Sequence, residues 1–143
     1  AAPNFTAVDV VTNKTISLAQ FKGSVVLLNF VNYGCSPSVN KIVSAQLLAI
    51  KELTKQREDF VPLSIFCGCC PPDVLRKFAK ENGLTWPWIL DADSSILRQY
   101  VGYLRKYGYP TLIFIDKGQY IREVTGYCNV PTLSVKIDET SQY

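Results

Sequence analysis

The sequence predicts an α/β fold with a parallel sheet core and an antiparallel edge, and three observations predict it. Two nearly all-apolar runs, Val25–Val31 and Val61–Phe66, are short and rich in β-branched residues, as strands buried on both faces are. Between them, from about Ser38 to Arg57, apolar residues recur at Val39, Ile42, Val43, Leu47, Ile50 and Leu53, which is helical spacing. A third apolar run, Thr111–Ile115, meets the turn signal Lys117-Gly118, and Tyr120–Thr125 returns as an antiparallel partner.

The remaining elements fill in around this frame. Val8–Val11 and Thr15–Ser17 flank Thr12-Asn13-Lys14 and predict a small N-terminal hairpin. Leu18–Phe21 fits one helical turn before Lys22-Gly23. Asp73–Asn82 carries Val74, Leu75, Phe78 and Ala79 on one helical face, and Gly83 stands where a helix end wants a left-handed residue. Trp88-Ile89-Leu90 is a short extended piece, and Ser94–Val101 a short helix with Asp93 as a cap. The tail from Val130 is open to more than one reading, a final short helix among them. Strand, helix, strand, helix and hairpin then make one domain over residues 1–143, with right-handed crossovers between its parallel strands.

Composition narrows the function classes. Hydrophobic residues make up 48% of the 143 and charged residues 19%, which describes a folded chain rather than a disordered one. The net charge of +3 is spread without a basic stripe, so nucleic acid is not expected as a partner. No apolar run approaches the roughly 20 residues of a membrane span. The opening Ala1-Ala2-Pro3-Asn4-Phe5 has the look of a trimmed, mature start rather than a signal peptide. The sequence has no histidine, which removes Cys-His and Ser-His-Asp catalysis and the His-bearing zinc sites. It has five cysteines, an odd number, so at least one has no intramolecular partner.

In open α/β sheets, sites form beyond the carboxyl ends of the parallel strands. Two cysteine groups fall there: Cys35 after the first core strand, and Cys67, Cys69 and Cys70 after the second. A cysteine at a helix start faces unpaired backbone N–H groups and the positive end of the helix dipole, and both favour the nucleophilic thiolate. Pro37 suits that first turn, where its missing N–H costs nothing. Cys128, after the last strand, is expected to be a lone structural or surface thiol. Trp86, Trp88 and most of the tyrosines are expected to pack or cover the core.

Val25–Ser38, VVLLNFVNYGCSPS, resembles the strand and active-site turn of the TlpA/ResA-like thiol–disulfide oxidoreductases of the thioredoxin superfamily. Ala2-Pro3-Asn4-Phe5 is similar to that family's opening, and Leu18–Gly23 to its Leu-x-x-Phe-x-Gly lead-in. Phe78–Leu84 with Asp91 is similar to its middle helix and following strand, and Tyr109-Pro110-Thr111 with Phe114-Ile115-Asp116 and Gly118 to its Pro-Thr loop, strand and turn. The resemblance implies a thioredoxin fold: a central mixed sheet flanked by helices, with an N-terminal hairpin extension. It implies thiol–disulfide exchange with a protein partner, no cofactor, and a cis peptide bond before Pro110, which faces the active cysteine. Tyr33, Tyr109, Pro110 and Thr111 would then line the substrate groove. Together with the extra cysteines, it leans toward a location outside the cytoplasm.

The chain departs from the family pattern where the chemistry is decided. Cys-x-x-Cys is replaced by Cys35-Ser36-Pro37-Ser38, and Gly34 stands where the family has tryptophan. Without a nearby second thiol, Cys35 forms a mixed disulfide but does not release it in the ordinary way. Ser38 either belongs to a natural monothiol protein, or is a Cys→Ser change that traps partners, or is compensated by another cysteine. Counted back from Phe78, Cys70 falls where some ResA-type relatives carry a functional glutamate, so Cys70 or Cys69 is the expected resolving thiol. Two readings compete with this one. A peroxiredoxin-like peroxidase would need Thr or Ser where Asn32 stands. A redox-inactive binding module would use the Pro110 groove alone. A thiolate metal site built from Cys35, Cys67, Cys69 and Cys70 has awkward spacing, and no metal is expected.

Overall fold

The computed structural model describes residues 1–31, 41–66, 71–104 and 110–143. Its elements, in order, are β1 (Thr6–Val8), β2 (Thr15–Ser17), a 3-10 turn (Leu18–Phe21), β3 (Val25–Val31), α1 (Lys41–Gln56), β4 (Phe60–Phe66), α2 (Pro72–Glu81), β5 (Trp88–Leu90), α3 (Ser95–Leu104), β6 (Thr111–Ile115), β7 (Ile121–Thr125) and α4 (Val130–Ser141). Five strands form one sheet in the order β5-β4-β3-β6-β7. β3, β4 and β5 run parallel, β6 is antiparallel to β3, and β7 is antiparallel to β6. This is the mixed sheet the sequence predicts, and β3 and β6 have the predicted bounds.

Alternation along the strands divides the core in two. Val25, Leu27 and Val31 of β3 face α1, α2 and α4, packing with Val43, Leu47, Ile50, Leu75, Leu133 and Ile137. Val26, Leu28 and Phe30 face α3 and the N-terminal segment, packing with Phe5, Leu18, Ile96 and Tyr100. All seven residues of β3 are buried, the state that a run apolar but for Asn29 requires.

Several local details follow from single residues. Gly83 has φ +64, the left-handed end of α2 that the sequence predicts. Capping of α3 is shared. Asp93 accepts from Ser95 N–H at 3.0 Å, while Asp91 accepts from Ile96 N–H at 3.1 Å and Leu97 N–H at 2.8 Å. α4 is a full helix with Asn129 as its N-cap, accepting from Thr132 N–H at 3.1 Å.

The N-terminal hairpin departs from expectation. Its first strand is Thr6–Val8, not Val8–Val11. Asp9 ends the strand early, because its carboxylate accepts from Val11 N–H at 2.9 Å and from the Thr12 hydroxyl at 3.0 Å. The chain is then drawn to the sheet's outer strand. Val10 N–H donates to Trp88 O at 2.8 Å, and Trp88 N–H donates to the Asp9 carboxylate at 3.2 Å. These bonds cover the exposed edge of β5, which would otherwise be free to pair with another chain.

Candidate active site

Strand register brings the motif-bearing ends of the chain together. Val31 at the end of β3 pairs with Phe66 at the end of β4, and Phe66 pairs with Leu90 at the end of β5. Phe30 pairs with Thr111, the first residue of β6. Thr125, the last residue of β7, pairs with Leu112. The carboxyl ends of β3, β4, β5 and β7 and the amino end of β6 therefore share one end of the sheet. Residues 32–40 join β3 to α1 from that end, and residues 67–70 join β4 to α2 from the neighbouring strand. Cys35, Ser38, Cys69, Cys70, Cys67, Tyr33 and Tyr109 lie outside the described residues. So does Tyr109's share of the peptide bond to Pro110.

Pro110 and Thr111 are described, and both are buried at this end of the sheet. Thr111 lies directly across from Phe30 in the antiparallel pairing. The start of β6 is thus held against the last turn of the strand that leads into the Cys35 segment.

Beneath this end, the face covered by α1 carries polar groups that the apolar pattern does not announce. Asn29, Ser64 and Trp88 are in register on three adjacent strands, so their side chains share a face. The Ser64 hydroxyl accepts from Trp86 Nε1 at 2.8 Å and from Asn29 Nδ2 at 3.5 Å. Trp86 and Trp88 are core residues, as the sequence predicts.

Gln46 is the residue that sequence reading passed over. It lies on the buried face of α1, and its side-chain amide clamps the main chain of Cys128. Cys128 N–H donates to Gln46 Oε1 at 2.8 Å, and Gln46 Nε2 donates to Cys128 O at 3.0 Å. The available signal was its position: Gln46 sits three residues after Val43 and four before Ile50, on the helix's apolar stripe. Cys128 itself is a free, buried thiol beside the Thr125 hydroxyl at 3.3 Å. That agrees with a structural thiol and rules out a surface one.

The chain belongs to the AhpC/TSA family, whose model matches residues 1–124. The chain is also similar to the thiol-disulfide oxidoreductase ResA of Bacillus thuringiensis subsp. konkukian. The two are 31% identical over 127 residues, which is 87% of this chain and 68% of the relative. ResA of Bacillus cereus matches to the same degree. Among solved structures, a thiol:disulfide interchange protein of the thioredoxin family from Chlorobium tepidum superposes with a TM-score of 0.82. It is 19% identical, and the match covers 97% of this chain and 94% of that one. The exposed lipoprotein thioredoxin of Streptococcus pneumoniae superposes with a TM-score of 0.73 at 24% identity, covering 96% and 99%. These two superpositions establish the thioredoxin fold. Among the described residues no helix is long and apolar enough to cross a membrane.

Proposed function

We propose that the protein carries out thiol–disulfide exchange with protein partners, with Cys35 as the nucleophile. The observation that carries this reading is the pairing of Val31 with Phe66, which starts the Cys35 and Cys67–Cys70 segments from adjacent strands at one end of the sheet. The likeness to ResA, 31% identical over 127 residues, supports the same chemistry. Cys35 thiolate attacks one sulfur of the partner's disulfide. A mixed disulfide forms, and the partner's other sulfur leaves as a thiolate. Cys70 or Cys69 then attacks Cys35 and releases the partner's thiol, leaving an internal disulfide. Where no loop thiol reaches, an external thiol completes the exchange.

Ser38 shapes this cycle rather than resolving it, since a hydroxyl cannot accept the disulfide. Tyr33, Tyr109, Pro110 and Thr111 line the partner's path, with the buried Pro110-Thr111 step fixing its position against β3. The location is outside the cytoplasm, in keeping with the exposed lipoprotein that shares this fold.

The test is the Cys35 thiol itself. Its pKa, read from the pH dependence of alkylation, is expected well below the ~8.5 of an ordinary cysteine. Mass mapping of the unreduced protein is expected to find Cys35 bridged to Cys69 or Cys70. An ordinary pKa together with no reaction of Cys35 toward a small aromatic disulfide would refute the proposal.

A further inference from the structure

Beside the proposed active end lies an apolar cleft whose described lining carries one charge, that of Lys41. It has a volume of about 250 Å³ and is lined by Lys41, Ile42, Ala45 and Tyr127. Ile42 is 58% exposed and Tyr127 49%, so two large apolar side chains are left in water facing one gap. The cleft is built rather than incidental. Tyr127 immediately precedes Cys128, whose main chain is fixed at both N–H and C=O by buried Gln46, one residue along α1 from Ala45. Both walls therefore hang on one clamp between the β7–α4 loop and the second turn of α1.

Resting on the exchange function proposed above, we propose that this cleft docks the partner polypeptide. It takes a bulky apolar side chain that lies close in sequence to the partner's reactive cysteine and to an acidic residue. Three features select this occupant. Lys41 is exposed and makes no ion pair among the described residues, and no acidic side chain lines the cleft among those same residues, so a carboxylate is the complementary group. The loop after Thr125 and the start of α1 belong to the same end of the sheet as the Cys35 segment. Lys41 follows Cys35 by six residues, which bounds their separation at roughly 20 Å, the reach of a six-residue extended partner segment. A second copy of this chain is the weaker occupant, because a cleft of about 250 Å³ with four described lining residues falls far short of the ~1,200 Å² that a stable interface buries.

The test uses two synthetic peptides, each with one cysteine activated as a mixed disulfide with thionitrobenzoate. One places Leu and Glu within six residues of that cysteine, and the other has Ser and Lys instead. Cys35 thiolate attacks the peptide's sulfur, the new S–S bond forms, and thionitrobenzoate leaves as the thiolate whose absorbance is read. Each rate is divided by the same protein's rate with the small symmetrical aromatic disulfide. The Leu/Glu peptide is expected to react faster than the Ser/Lys peptide by on the order of tenfold. Ala45→Asp is expected to remove that preference, and Lys41→Glu to shift it toward the Lys peptide.

Binding is read without chemistry by using Cys35→Ser protein, a Leu/Glu peptide with Ser for its cysteine, and methyl NMR of Ile42 and Ala45. Equal normalised rates with unmoved methyl signals would overturn the proposal. So would methyl shifts that depend on protein concentration alone, which would assign the cleft to a second copy. Failure of Cys35 to react with any disulfide defeats the exchange function instead, and the methyl signals then decide the cleft by themselves.

Discussion

The two ends of the sheet are built differently. At the end opposite the proposed active site, charge ties the elements together. Arg57, just past α1, donates to both carboxylate oxygens of Asp59 at 2.7 and 2.6 Å, to Asp138 of α4 at 2.7 Å, and to the Ser134 carbonyl and hydroxyl at 3.1 and 3.0 Å. Asp116, in the β6–β7 turn, accepts from Gly118 N–H at 2.9 Å, Tyr120 N–H at 3.0 Å and Arg122 at 2.6 Å. Ala2 and Gly23 are bound into the same turn through Gln119 O and Lys117 O. At the other end, the tie between α1 and the β7–α4 loop is the neutral, buried Gln46–Cys128 clamp. The end opposite the chemistry spends its polar side chains on closure. The proposed active end keeps Lys41, Ile42 and Tyr127 open to solvent.

Breaking the neutral clamp is expected to have the largest effect on stability. Gln46→Leu leaves the buried N–H and C=O of Cys128 without partners, at about 2–4 kcal/mol. Chemical denaturation checks this, and the same variant is expected to lose the peptide preference of the cleft. Stability lost with the preference retained would separate the clamp from docking.

Next comes Asp116. Burial pushes its carboxyl pKa up, but hydrogen bonds from Tyr120 N–H, Arg122 and Gly118 N–H together hold it below the usual carboxylate range. Because the folded-state pKa is depressed, the stability it contributes is present above the unfolded value of about 3.9 and is lost as pH falls through the folded value. Denaturant midpoints are therefore expected to drop on acidification below about pH 4. Asp116→Asn is expected to flatten that limb and to cost about 1–2 kcal/mol at neutral pH, with partial exposure of Arg122 holding the figure down. Asp59, lowered chiefly by its hydrogen bonds from Arg57, changes in the same direction.

The smallest effect is expected at Arg57. Its side chain is 18% exposed, but Asp59 and Asp138 are 54% and 60% exposed, so water screens both pairs. Arg57→Ala is expected to cost about 1 kcal/mol or less in a denaturant melt and to leave the Cys35 reaction with a small disulfide unchanged.

Much of the fold is legible in the sequence because its strongest signals are local. Val25–Val31 and Thr111–Ile115 are apolar but for Asn29 and Thr111, and only a position buried on both faces satisfies the apolar residues of such a run. Gly83 is read as a helix boundary by its own backbone chemistry. The bounds of β1 turn on Asp9, whose carboxylate closes a local turn with Val11 and Thr12 and also accepts from Trp88 N–H, far along the chain, and that second contact has no local pattern. For the site, the sequence identifies residue types and order: Cys35 at a strand-to-helix turn, a second cysteine group after the next strand, and Pro110-Thr111 opening β6.

By itself, then, the sequence determines the elements, their order and the thiol nature of the chemistry, since periodicity and residue identity act within a few positions. Only the tertiary structure decides which strand ends are neighbours. Val31 meets Phe66 and Phe30 meets Thr111 through hydrogen-bonded register across 35 and 81 positions of sequence, and no local pattern encodes that choice. It alone makes Gln46 a clamp and turns Ile42 and Tyr127 into one cleft, because a side chain's partner depends on packing between elements distant in the chain.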